Sequence, residues 1–438
     1  MNLEALFAHH PQWPAVHRTL TAIQAHGYQA LLAGGCVRDA LMGRKPHDFD
    51  IASNATPEQL RVLFPHALEV GRDFGVTILP ERLEQGLLSA GEGFQLEIAT
   101  FRKDGPYLDG RRPSSIEFAS AREDARRRDF TVNALFYDLK TQALLDFVGG
   151  QVDLQKKIIR TVGPPELRFT EDKLRLLRAV RFAAQLDFTV DTETLAAVAT
   201  LATTLAVVSK ERIHDEIVKL LNSEQRGKGL DLLVSTRLLW QIVPSYPAVQ
   251  DSTGPNGEPL PTWLALKKAP VTTPLAVLLA LWLKPLGSVV PVRAALKELK
   301  FSSSRWSSVV WLLENEGLLA RPEHARLALK IKALGSELGP SLEVFCNLQE
   351  EAQRGQVNFK RVEHLHNIRA EYLAQGPDGS WTGSLPERLL NGADLKALGF
   401  VPGPKMGPVL EEAYNLQLEK TLKSKEQALD WAKLRLSY

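Results

Sequence analysis

Leu31-Leu32-Ala33-Gly34-Gly35-Cys36-Val37-Arg38-Asp39-Ala40-Leu41-Met42-Gly43-Arg44-Lys45-Pro46-His47-Asp48-Phe49-Asp50 is the stretch that carries the fold. An apolar run ends in a double-glycine turn, a short helix bearing Arg38 and Asp39 follows, and a second strand opens at His47-Asp48-Phe49-Asp50. Side chains alternate faces along a strand, which puts Asp48 and Asp50 on one face and Phe49 in the core. Two carboxylates crowded beside apolar Ile51 are unfavourable unless a cation neutralises them, and hard oxygen ligands suit Mg²⁺. Gly34 and Gly35 leave backbone N–H groups open to a phosphate, the following helix N-terminus adds a favourable dipole, and Arg38 supplies a forked cation. Together these groups suit phosphoryl transfer: one ion lowers the pKa of an attacking hydroxyl while another neutralises a triphosphate and its leaving pyrophosphate. Either fragment alone also fits a tight turn followed by a surface Asp-x-Asp.

Outward from this stretch, residues 28–33, 49–51, 75–79, 94–101 and 135–137 read as strands, and the first 160 residues form an α+β head. Residues 81–93 are polar and glycine-containing, and read as a hairpin excursion. After Pro164-Pro165 the pattern turns helical, with Leu174, Leu177, Ala179, Val180, Phe182 and Ala183 at helical spacing. Breaks rich in Pro and Gly at 251–261 and 376–386 divide the helical part. The expected division is a catalytic head (1–160), a helical neck with base recognition (161–245), a helical body (246–375) and a helical tail (376–438).

Composition narrows the function classes. The 438 residues are 44% hydrophobic and 24% charged, ordinary for a globular chain of several domains. A net charge of +2 advertises no global basic field, so any nucleic-acid contact rests on local patches. Cys36 and Cys346 stand far apart without partners at metal-ligand spacing, which argues against a disulfide framework or zinc and fits a reducing cytoplasm. No run reaches the roughly 20 apolar residues that span a bilayer, and the start lacks a signal-peptide pattern. Nothing implies a stable protein partner.

Two further blocks carry polar chemistry. Arg127-Arg128-Asp129-Phe130-Thr131-Val132-Asn133-Ala134 combines two guanidinium groups with an Asp and an Asn, suited to a triphosphate and a ribose hydroxyl; a solvated helix start is the other local reading. Glu171-Asp172-Lys173-Leu174-Arg175 is expected to open a helix, with Asp172 and Arg175 on one face and Glu171 bracing Arg175. An acceptor beside a donor addresses both cytosine and adenine, whereas guanine and uracil present the wrong order. An ordinary intrahelical ion pair fits the same spacing.

Gly34 to Asp39 followed by Asp48-Phe49-Asp50 resembles the opening motif of class II tRNA nucleotidyltransferases and bacterial poly(A) polymerases, members of the polymerase β superfamily. The resemblance spans residues 25 to about 220. It implies a mixed-sheet head in which Asp48 and Asp50 bind Mg²⁺, with Glu97 as a third catalytic carboxylate; a solvent-facing strand residue is the alternative for Glu97. It implies nucleotide binding by Gly34, Gly35, Arg38, Arg128, Asp129, Asn133, Asp172, Arg175 and Arg178, with Asp129 and Asn133 selecting ribose, and Asp172 and Arg175 selecting the base. Residues 104–113, with Asp104, Asp109, Arg111 and Arg112, resemble the flexible loop of enzymes that add a terminal A. Residues 146–154 resemble the hinge between head and neck. Glu211-Arg212-Ile213-His214-Asp215-Glu216 resembles a motif that supports the neck without touching substrate; its His-Asp dipeptide lacks the companions of a metal phosphohydrolase site. The implied reaction is addition of CCA to the 3′ end of tRNA from CTP and ATP. A-only addition, poly(A) synthesis and a non-catalytic RNA-binding scaffold remain as alternatives. Lys156, Lys157, Arg160, Arg168, Arg178 and Arg181 are the expected RNA contacts.

Overall fold

The computed structural model describes residues 3–69, 75–82, 93–106, 115–248, 261–373 and 385–436. The chain divides into two compact units, Met1–Pro244 and Ser245–Tyr438.

The first unit begins with α1 (Glu4–Phe7), α2 (Trp13–Ala25), β1 (Ala30–Ala33), α3 (Gly35–Leu41), β2 (Asp50–Ser53) and α4 (Pro57–Leu63). It continues through β3 (Leu68–Glu69), β4 (Val76–Arg82), β5 (Gly93–Thr100), β6 (Arg102–Asp104), β7 (Ile116–Phe118), α5 (Ala121–Arg127), β8 (Leu135–Asp138) and β9 (Ala143–Asp146). Seven strands form one sheet in the order β3-β4-β5-β2-β1-β8-β9. The β2–β5 pairing is parallel and its neighbours are antiparallel, so the sheet is mixed, as expected.

Alternation along the central strands places Ala30, Leu32 and Ile51 in a cluster with Trp13, Val16, Leu20 and Ile23 of α2, which recur at helical spacing. Leu31, Ala33 and Ala52 turn to the other face and pack with Phe101, Ala121, Ala125 and Phe136. Both faces are covered, which explains why β1 reads as a continuous apolar run. The five predicted strands are present; of the excursion expected at 81–93, Glu81, Arg82 and Gly93 instead extend the antiparallel strands β4 and β5, and 83–92 lie outside the described residues.

After β9 come α6 (Gly150–Lys156), β10 (Ile158–Ile159), α7 (Pro165–Glu171), α8 (Leu174–Leu186), β11 (Thr189–Val190), α9 (Thr192–Leu201), α10 (Lys210–Leu221), α11 (Arg226–Ser235) and α12 (Leu238–Ile242). Residues 171–175 span a break rather than opening one helix. Asp172 ends α7 with extended backbone, φ −140° and ψ 107°, and α8 begins two residues later. The block at Arg127 is likewise a helix end, since Arg127 closes α5 and Arg128 caps it in extended conformation. Its predicted alternative, a solvated helix start, is thereby overturned.

Among the described residues of the second unit, every regular element is a helix. Leu275–Leu283 is buried from Ala276 to Leu283 and forms a core helix carrying Trp282, with Trp263 and Phe345 also buried in the unit's interior. A separate cluster of Leu390, Leu395, Met406, Ala413, Leu422, Ala428 and Ala432 organises the last helices. Both proposed linkers fall largely on residues outside those described. No single helix among the described residues is long and apolar enough to cross a membrane.

Candidate active site

Asp48 lies in the bend before β2 and Asp50 is the first residue of the strand, one step later than expected. The alternation nevertheless holds: Asp48 and Asp50 are exposed while Phe49 is buried. Phe49 is the anchor. Its ring meets Phe7 edge-on at 5.4 Å, His10 at 4.9 Å and Trp13 at 5.7 Å. Burying a phenylalanine stabilises by roughly 2–3 kcal/mol, enough to hold the flanking carboxylates on the outer side.

Glu97 is exposed and stands directly opposite Asp50 in the parallel β2–β5 register. Asp48, Asp50 and Glu97 therefore cluster where β2 begins, in the interior of the sheet. Asp50 is pushed up to about 6, first by partial desolvation at the cleft floor and then by the Asp48 charge, with Glu97 adding to it and Arg128 opposing. Carboxylate crowding that Arg128 offsets only in part fits a divalent cation. Among the described residues no three or more His, Cys, Asp or Glu groups close into a protein cage. Mg²⁺ usually takes one or two carboxylates plus substrate phosphates, so an open donor set of this kind suits it better than a closed cage would.

Gly34 makes the turn possible. Its backbone sits at φ +73°, and an added Cβ would lie 3.0 Å from Nη1 of Arg128 and 3.9 Å from Oδ2 of Asp50. A side chain there would be strained and would enter the space between cation and carboxylate.

A cleft of about 850 Å³ in the first unit opens over these groups. Eight Arg and Lys side chains line it against five Asp, which suits a polyanionic ligand. Arg38, Asn133, Asp129 and Arg178 form one continuous network across its wall. Arg38 Nη1 donates to Asn133 Oδ1, Asn133 Nδ2 donates to Asp129 Oδ1 at 3.2 Å, and Arg178 Nε donates to Asp129 Oδ2 at 2.8 Å. The Phe130 N–H also donates to Asp129 Oδ1, and Arg178 Nη2 lies 2.6 Å from Oδ2. A carboxylate offers about four acceptor sites, and all are taken. Contact between Asp129 and a ribose hydroxyl requires one of these bonds to be exchanged.

Burial alone would raise the Asp129 carboxyl, but Arg178 and then Arg175 outweigh it and hold it at about 2. A depressed folded pKa contributes stability that is present above the unfolded value near 4 and is lost as pH falls toward 2. For this buried group the contribution is about 2 kcal/mol. Asp129→Asn is expected to be less stable than the parent at pH 7, with the gap in urea midpoint narrowing as pH is lowered from 6 to 3. A gap independent of pH would contradict this account.

Arg128 is steered by Asp124, which accepts from its Nε at 3.2 Å and from Arg127 Nε at 2.8 Å. Burial raises the Asp124 carboxyl, but the two guanidinium groups prevail and keep it below its usual value. Arg175 is braced by Glu171 at 2.6 Å, as expected, and also donates to the carbonyls of Arg168 and Arg127. Asp172 does not pair with Arg175. Its partner is Arg212, through Nη1 at 3.1 Å and Nη2 at 2.7 Å.

Of the expected loop residues, Asp109, Arg111 and Arg112 lie outside the described residues. Asp104 belongs to β6 and is held by Arg102 at 2.8 Å. Of the expected RNA contacts, Arg181 is buried with Glu216 at 2.6 Å and stacks 3.6 Å from the Phe182 ring centre, which removes it from any surface role. Lys156 and Lys157 are exposed.

Residues 30–160 match the model of the Poly A polymerase head domain, and residues 187–249 match the probable RNA and SrmB-binding site of polymerase A. The chain is 32% identical to the CCA-adding enzyme of Lactococcus lactis subsp. cremoris over 94% of its own length and 93% of that relative. The chain belongs to the CCA-adding enzyme family. The CCA-adding enzyme of Lactiplantibacillus plantarum is also 32% identical, with 97% of this chain and 96% of that one aligned. A CCA-adding enzyme of Oceanobacillus iheyensis reaches 41% identity, but over 51% of this chain and about half (53%) of its own length. The crystal structure of the Bacillus stearothermophilus CCA-adding enzyme in complex with CTP superposes with a TM-score of 0.75 at 27% identity, covering 98% of both chains.

For this CCA-adding family member, sequence reasoning missed Arg212 at the cleft. The neck motif was expected to stay clear of substrate, and its Glu216 does serve a buried ion pair with Arg181. Arg212 instead lines the cleft. The signal available was its position one residue after Glu211 on a helix start; which helix faced it was invisible.

Proposed function

We propose that this chain adds CCA to the 3′ end of tRNA, using CTP and ATP, with Asp48 and Asp50 binding Mg²⁺ and Glu97 as the third catalytic carboxylate. One observation carries the reading: a single cleft joins the exposed Asp48–Asp50 pair to a basic wall and to Asp172 and Arg175. When bound, a divalent cation supplies charge neutralisation at the triphosphate and lowers the pKa of the attacking hydroxyl. Asp48 and Asp50 orient that chemistry, and Gly34 and Gly35 let backbone approach the phosphates. Arg38, Arg128 and Arg178 neutralise the triphosphate. Asn133 and Asp129 order the ribose side of the cleft.

The hydrogen-bond inventory supports base selection. Arg175 has five N–H groups, three of which are engaged, leaving two donors. Asp172 has four acceptor sites, with Arg212 and the Leu174 N–H on three, leaving one. Two donors and one acceptor complement cytosine, and adenine uses one of each. Uracil and guanine offer an acceptor where Asp172 needs a donor.

The proposed division of labour is a head at 1–160, a base-recognising neck at 161–245, a body at 246–375 and a tRNA-binding tail at 376–438. Two free, buried cysteines fit the proposed cytoplasmic setting. The test supplies truncated tRNA and Mg²⁺ with labelled CTP or ATP, separately and together. CC followed by one A is the expected product. Addition of A alone onto tRNA ending in CC points to an A-adding enzyme, a long A tract to a poly(A) polymerase, and no incorporation sinks the proposal.

A further inference from the structure

Asp172 and Arg212 come from different helix ends, Asp172 closing α7 and Arg212 opening α10, and both face the main cleft. Their two parallel bonds, Nη1 to Oδ1 and Nη2 to Oδ2, fix the plane of the carboxylate as well as its place. The Leu174 N–H takes a further site on Oδ1 at 3.1 Å. Asp172 lacks helical backbone of its own to hold it, being the extended residue between α7 and α8. Without Arg212, that single amide bond at the start of α8 is the remaining hydrogen bond on the carboxylate.

We propose that Arg212 is a specificity-determining positioning residue, which holds the Asp172 carboxylate rotated so that one acceptor site on Oδ2 faces the incoming base. The inference rests on the proposed nucleotidyltransferase reading and deepens it. A carboxylate gripped through both oxygens can accept from an exocyclic amino group and cannot donate. That excludes the O4 of uracil and the O6 of guanine, which need a donor at the same place. A loosened carboxylate can rotate and no longer presents that one acceptor site to the base. Arg212 therefore acts on the choice of base through Asp172, with no contact to the reacting atoms. The guanidinium has the planar fork that a lysine ammonium lacks, so charge alone does not substitute for it.

The experiment measures kcat/KM for CTP and UTP on truncated tRNA with the full chain and with Arg212→Ala and Arg212→Lys, alongside tRNA Kd and thermal melting. The CTP-to-UTP ratio is expected to fall about tenfold or more in Arg212→Ala, the value of one hydrogen bond to a charged group. Arg212→Lys is expected to be intermediate, with tRNA Kd unchanged in both. A parent that adds CTP selectively, with variants that lose rate at an unchanged CTP-to-UTP ratio, overturns this inference and leaves Arg212 a plain brace. Should Arg212→Ala fail to fold, the ratio in Arg212→Lys decides in the same way. A parent that adds neither nucleotide refutes the functional reading itself, and the inference with it.

Discussion

Replacing Asp50 with asparagine is expected to slow nucleotide addition by about 10³-fold or more while leaving tRNA affinity unchanged. In metal-free buffer the same change should raise the melting temperature. The two effects share a cause. Asp50 sits among Asp48, Glu97 and a partly desolvating floor, and its carboxyl is pushed up to about 6. A carboxyl raised above its unfolded value near 4 contributes stability while protonated, and that contribution is lost as pH rises from about 4 through 6. At pH 7 the charged group is thus a burden on the fold. A shift of this size corresponds to roughly 3 kcal/mol for a dry group, and solvent screening of an exposed side chain reduces it to about 1 kcal/mol. For a unit of this size that is a gain of roughly 2–4 °C, readable by scanning calorimetry at pH 7.5 with chelator and expected to shrink at pH 5. An unrelated surface Asp would show neither effect. Retention of nucleotide addition in Asp50→Asn would refute the site assignment outright.

Gly150→Ala is expected to cost about 3 kcal/mol, near the upper end of the usual overpacking range, and to lower the melting temperature by roughly 6–12 °C. A Cβ on Gly150 would stand 2.2 Å from the carbonyl oxygen of Thr131 and 3.0 Å from Leu135 Cδ2. The first neighbour is backbone, so no side-chain rotation relieves the clash. Thr131 opens the short turn that carries Asn133, and its carbonyl accepts from Ala134 N–H at 3.0 Å. Activity should therefore fall along with stability, because the displaced turn bears the link between Arg38 and Asp129. Gly149 is the internal control. It is left-handed at φ +81° with nothing within 4 Å of an added Cβ, so Gly149→Ala should cost only about 1–2 kcal/mol of backbone strain. Urea denaturation of both variants separates the cases, and equal costs would show that close packing at Gly150 is not the reason for the glycine.

That pair of glycines shows how far the sequence reaches. Residues 146–154 resemble a hinge in sequence, and Gly149 does take the unusual backbone angle a hinge glycine permits. In the folded chain the segment is tightly tied: Asp146 accepts from the N–H groups of Val148, Gly149, Gly150 and Gln151, and Asp153 bonds Thr131 and Arg160. The same holds at residues 171–175. Helical spacing predicted the Glu171–Arg175 brace correctly, yet the helix breaks at Asp172, and the partner of that carboxylate lies forty residues away.

By itself the sequence determined the glycine turn, the outward Asp-x-Asp around a buried Phe49, the alternating central strands and the switch to helices, because each is a local matter of period, backbone freedom and side-chain polarity. Only the tertiary structure decided that Glu97 stands beside Asp50, that every acceptor of Asp129 is engaged, that Arg181 is buried and that Arg212 grips Asp172. Those are contacts between segments brought together by packing, and neither spacing nor composition records which distant guanidinium meets which carboxylate.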